Sequence, residues 1–132
     1  MKITEHLTKA EAFERCLAKL DPLVDGPLYA VFLMRAGTSR VNAALHALGL
    51  TADSGPVQPK LGDLNHTYKP PINFAVPAGL KRAFQELAYI ENLRPDFVRG
   101  ATRFDAGKAQ RAAAAYAMIK RETEAVLEGV TS

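Results

Sequence analysis

Apolar residues recur every three or four positions in four stretches of this 132-residue chain, and a proline-rich stretch separates the second from the third. The first stripe is Ala10, Phe13, Cys16, Leu17 and Leu20. Thr8 and Glu11 fit a capping box at its start, in which the hydroxyl and the carboxylate each accept from the other residue's backbone N–H. Asp21-Pro22 stops it. On this spacing Cys16 belongs to the buried face as a small core residue.

The second helix is expected from Pro27, a suitable first helical residue, to Leu48, with Gly49 as the glycine that closes it. Leu28, Ala30, Val31, Phe32, Leu33, Met34, Val41, Ala44, Leu45 and Leu48 leave it apolar on nearly every side, which predicts a central helix. One narrow stripe breaks that pattern. Arg35, Ser39, Asn42 and His46 lie four, three and four residues apart, and so share a face. Gly37, Thr38 and Ser39 lower helix propensity here and let a neighbour come close.

Pro56, Pro59, Pro70, Pro71 and Pro77, with Gly55 and Gly62, make residues 51–77 a long connection, a feature that is often functional. Ile72, Phe74 and Val76 alternate as in a short extended piece, and Tyr68 and Phe74 suit a flap over the bundle. Leu80, Phe84, Leu87 and Ile90 define a third helix, with Pro95 expected to end or bend it near Arg94. Asp105 is a good N-cap for a fourth. That helix carries Ala109, Ala112, Ala113, Tyr116, Ile119, Thr123, Val126 and Leu127, and Gly129 is expected to close it. The fold class that follows is all-α, a single domain built as a four- to five-helix bundle with a long Pro-rich connection between helices 2 and 3.

Composition narrows the function classes. A single cysteine excludes an intrachain disulfide and suits a reducing compartment. Apolar runs such as Leu28 to Met34 are too short to span a bilayer, and MKITEH has no apolar signal core, so a cytoplasmic protein without membrane association is expected. His6, His46 and His66 are far apart in the sequence, with no HExxH or CxxC spacing, so no metal site is expected. The absence of phosphate-loop, dinucleotide and GxSxG patterns leaves no cofactor to expect.

The net charge of +3 is unevenly spread. Residues 81–121 hold nine bases against Glu86, Glu91, Asp96 and Asp105, whereas 122–132 hold three acids and no base. Such a region suits phosphates or an acidic protein partner, or is simply a solvated helix surface. Within it, Arg94, Arg99 and Arg103 fall just before the N-terminus of the fourth helix, where free N–H groups favour an anion. Asp105 competes for the same donors. The Arg35–Ser39–Asn42–His46 stripe is the second candidate. It reads either as a cleft lining, with His46 as acid/base and Arg35 as an anion holder, or as an internal hydrogen-bond network.

The segment 89–127, YIENLRPDFVRGATRFDAGKAQRAAAAYAMIKRETEAVL, together with MRAGTSRVNAALHALGL before it, resembles the HEPN (higher eukaryotes and prokaryotes nucleotide-binding) domain group in helix order. The resemblance implies a small helical bundle, commonly dimeric. Many members are metal-independent RNases with an Arg-x4–6-His motif at the end of the third helix. Arg94 stands where the motif arginine would be. The histidine position is not filled, Arg99 is the nearest functional candidate, and Pro95 replaces the usual polar residue. Arg40 and His46 match the motif as a string, but inside a helix they point about 120° apart. The reading that results is a non-catalytic HEPN-like module binding a nucleotide, RNA or a protein partner. The alternatives are an RNase-like enzyme using His46 or the Arg94/Arg99 turn, and a structural protein. A homodimer is expected from the resemblance and from the surplus apolar surface of the second helix.

Overall fold

The computed structural model describes residues 1–51, 76–98 and 105–131, with the side chains of 94–98 and 130–131 outside that description. Four helices are packed together: α1 (Ile3–Leu17), α2 (Gly26–Ala47), α3 (Ala78–Val98) and α4 (Ala106–Thr131). Helix α2 touches all three others, and α3 and α4 pair with each other. The central helix expected from the all-round apolar pattern is therefore α2. Its buried Ala30, Leu33, Met34, Val41, Ala44 and Leu45 meet Leu80, Leu87 and Ile90 of α3 and Ala112, Ala115 and Ile119 of α4.

Gly37 sits where α2 faces that pair. A Cβ on it would lie 3.0 Å from Leu87 Cδ1 and 3.4 Å from Ile119 Cδ1. The close approach is by side chains of both neighbours onto the glycine. Opposite, α1 lies along α2 through the ring contact of Phe13 with Phe32 and that of His6 with His46. Apolar surface on α2 is largely consumed inside the chain, which removes much of the surplus expected to drive dimerisation. Large exposed apolar side chains remain at the α1–α2 corner, where Leu23 is 60% and Val24 76% exposed, and at Leu28.

The helix ends follow local chemistry. Asp21 holds the corner, its Oδ1 accepting from the Leu23 N–H, while Asp25 Oδ2 accepts from the Asp21 N–H. Gly49 takes φ 74°, and the N–H groups of Gly49 and Leu50 donate to the carbonyls of His46 and Leu45, a Schellman closure. Asp105 Oδ1 accepts from the Lys108 N–H at 2.8 Å and caps α4 as expected.

Four expectations fail at element ends and on α1. Helix α1 begins at Ile3, and Thr8 and Glu11 lie inside it. The extra turn carries His6, whose burial beside His46 rewards it with tertiary contact. Cys16 is exposed, because the line through buried His6 and Ala10 and half-buried Leu17 leaves it roughly a quarter turn away. Helix α3 does not end near Arg94, one of the two outcomes expected of Pro95, but continues to Val98, since a proline near a helix end costs only local hydrogen bonding. Helix α4 likewise runs past Gly129 to Thr131. The extended piece and flap expected within 51–75 lie outside the described residues.

Candidate functional site

Arg40 is an arginine in the middle of the most buried helix, and only 5% of it is exposed. Burying an unpaired guanidinium is prohibitive, so its surroundings must answer the charge. They do so from two helices. Arg40 Nε donates to Glu14 Oε2 of α1 at 3.1 Å and to the Tyr116 hydroxyl of α4 at 3.0 Å, and Nη2 donates to Glu14 Oε2 at 2.9 Å. The Tyr116 hydroxyl donates in turn to Glu14 Oε2, and Lys120 Nζ stands 3.7 Å from Oε1. Arg40 projects at the seam between the α1 side and the α4 side of α2, which is why one side chain joins three helices.

The electrostatics agree with the geometry. Burial pushes the Glu14 carboxyl up, but the hydrogen bonds from Tyr116 and Arg40 and the charges of Arg40 and Lys120 outweigh it and hold its pKa below the ordinary value. The Tyr116 phenol is pushed up, first by burial and then by its bond to the Glu14 carboxylate. Burial opposes the charge on Arg40, yet Tyr116 and Glu14 more than restore it. The cluster is thus an ionic clasp in which Glu14 answers the buried charge of Arg40.

Beside the clasp a cleft of ≈ 310 Å³ opens between α1 and α4, with buried Arg40 in its lining. From α1 come Leu7, Glu11 and Glu14; from α4 come Lys120, Glu124, Leu127 and Glu128. A second hollow of ≈ 370 Å³ lies where the ends of α2 and α4 meet the start of α3, lined mainly by apolar groups including Leu48, Pro77, Leu80 and Val126.

The polar stripe on α2 turns inward. Ser39, Asn42 and His46 are buried and Arg35 is half-buried. His46 Nδ1 is hydrogen-bonded to Thr51 Oγ1 at 2.5 Å, and its ring centroid is 5.3 Å from that of His6. The Gly49 turn is what returns the chain far enough for Thr51 to reach His46. Of the stripe, His46 is thus turned toward α1 and Thr51. Of the other candidates, Arg94 lies on the last turns of α3 with its side chain outside the description, and Arg99 and Arg103 lie outside the described residues.

Sequence reasoning passed over Glu14, Tyr116, Lys120, His6 and Thr51, and treated Arg40 only as a chance motif match. A signal existed for Arg40, a permanent charge inside a helix predicted to be buried all round. No comparable signal exists for Glu14 or Tyr116, whose roles depend on which helices meet. Among the described residues no group of three metal-ligating side chains is placed to hold a metal ion, and no helix is long and apolar enough to cross a membrane. Comparison of the chain with protein-family models, curated proteins and solved structures found no match.

Proposed function

We propose that this chain is a non-catalytic, HEPN-like helical module that acts by binding another protein. The observation that carries the reading is the use of its acid/base-capable groups as structural ties. Arg40 is committed to Glu14 and Tyr116, and His46, 8% exposed, to Thr51. A group held in this way has neither the access nor the freedom that proton transfer to a substrate requires. Part of the basic surface is also answered locally among the described residues. Arg82 pairs with Glu122, Arg111 with Glu86, Lys120 with Glu14, and Arg121 approaches Glu122. Those pairs leave a mixed-charge surface, which suits a protein partner better than a polyphosphate backbone.

The test is incubation of the full chain at low salt with nucleoside triphosphates and with short single-stranded RNA. Neither substrate is expected to be turned over. RNA cleavage that disappears in His46→Ala overturns the reading in favour of the RNase-like alternative. Salt-sensitive binding of nucleotide or RNA that disappears in Arg99→Ala assigns those ligands to the 94–103 turn instead. The same proposal includes a homodimer, for which the exposed Leu23, Val24 and Leu28 are among the described apolar side chains available; light scattering at micromolar concentration that gives a 14.3 kDa species removes it.

A further inference from the structure

Helix α2 is buried along most of its length, but not along one edge of its first half. Asp25, Leu28, Phe32 and Arg35 follow one another at intervals of three, four and three residues, the spacing of a helix–helix seam, and so share one face. Leu28 is 46% exposed and the other three are half-buried, whereas Ala30, Leu33 and Met34 on the opposite side enter the core. Leu23 and Val24, more exposed still, immediately precede the stripe.

The stripe carries an acid at one end, a base at the other and apolar side chains between them. Among the described residues neither Asp25 nor Arg35 enters an ion pair. Asp25 Oδ2 accepts from the Asp21 N–H, which leaves its other oxygen for a partner. The rise of the helix separates the two charged residues by about 15 Å. Turned end for end about a two-fold axis level with residue 30, the stripe matches itself. Asp25 then faces Arg35 of the partner subunit, Leu28 faces Phe32 of the partner subunit, and symmetry makes each pairing twice. A polyanion would meet the Asp25 carboxylate, and an unrelated protein would have to present the same order of acid, apolar pair and base. A second copy of this chain presents that order by construction.

Resting on the homodimer included in the reading above, we propose that two copies pair through this stripe, α2 antiparallel to α2, with Leu28 and Phe32 at the centre and an Asp25–Arg35 ion pair at each end. The apolar side chains supply the burial that drives association, and Leu23 and Val24 extend it. The charges fix the orientation and register more than they add affinity.

The experiment is sedimentation equilibrium on the full chain at micromolar concentration, where a species of twice 14.3 kDa is expected. Asp25→Lys and Arg35→Glu each set like charges against one another at both ends of the pair. Each is expected to raise the dimer dissociation constant at least about tenfold, which corresponds to about 1.4 kcal/mol. An equal mixture of the two variants is expected to recover the lost affinity. In the mixed dimer the introduced lysine faces the introduced glutamate, and the native Arg35 of one copy faces the native Asp25 of the other. Because Asp25→Lys also removes the bond to the Asp21 N–H, Leu28→Asp at an exposed position serves as a second disrupting variant, and unchanged far-ultraviolet circular dichroism shows that each chain is folded. Unchanged dimer affinity in Arg35→Glu and Leu28→Asp, or a mixture that associates no better than its components, overturns the stripe as the interface while leaving the homodimer in place. A wild-type chain that stays monomeric overturns the stripe and the homodimer together. Turnover of RNA or nucleotide, measured separately, overturns the module reading itself.

Discussion

Replacing Glu14 with leucine removes the carboxylate that Arg40 and Tyr116 both face. Arg40 would then keep one hydrogen bond, to the Tyr116 hydroxyl at 3.0 Å, while remaining almost entirely out of water. Breaking a buried ion pair from one side costs about 3–5 kcal/mol, because the surviving charge is left uncompensated. The Glu14 side chain is 22% exposed, so water reaches part of the site and the lower end, about 3 kcal/mol, is expected. Against a total stability of roughly 5–15 kcal/mol that is a large loss. The companion substitution separates charge from packing. Arg40→Met together with Glu14→Leu removes both charges, and the double variant should be more stable than Glu14→Leu alone by more than about 1 kcal/mol. Urea unfolding of the four chains at one pH, followed by far-ultraviolet circular dichroism, gives the cycle. A Glu14→Leu cost below about 0.5 kcal/mol, or strict additivity of the two changes, would refute a coupled clasp.

Further outcomes can be checked on the same instrument. Because the folded-state Glu14 pKa lies below its ordinary value of 4.5, its contribution is present above that value and is lost as pH falls through the folded-state pKa; Glu14→Gln should therefore flatten the loss of stability below about pH 4.5. Gly37→Val should cost about 1–3 kcal/mol by driving Leu87 and Ile119 outward, whereas Gly37→Ala should be near neutral, since a helix-propensity gain of about 1 kcal/mol offsets the tight Leu87 contact. Leu45→Ala and Leu87→Ala should each cost about 2–5 kcal/mol, and values below half a kcal/mol at both would contradict the assigned core. Gly49→Ala should cost about 1–2 kcal/mol, because φ 74° places a Cβ against the backbone; no measurable change in the urea midpoint would show that the turn relaxes.

The chain declares its architecture locally and conceals its polar centre. Period and punctuation sufficed for α2, whose Gly49 closure and all-round apolar pattern follow from neighbouring residues, and for the Asp105 cap of α4. They also placed Leu80, Leu87, Ile90 and Ile119 in the core. Misreadings arise where a distant partner decides. His6 lengthens α1 because His46 awaits it, and Cys16 lies outside the buried line because α2 approaches from another angle. The Arg35–His46 stripe was visible as a face, but that its His46 meets His6 of α1 and Thr51 depended on the packing. Glu14 and Tyr116 show the limit most clearly. They are ordinary residues on ordinary helices, 102 positions apart, until the bundle sets them against Arg40.

That separation bears on how the molecule is made. The α1–α2 and α3–α4 pairs each close over short stretches of chain or a single connection, whereas the Tyr116–Glu14 bond waits until both pairs have docked. In synthesis from the N-terminus, Arg40 and Glu14 emerge well before Tyr116. A nascent chain holding only α1 and α2 therefore carries a half-closed clasp and an open apolar flank on α2. Helix α4, which follows the other three in the sequence, both covers part of that flank and supplies the hydroxyl of Tyr116, so the polar centre cannot close before α4 has been made.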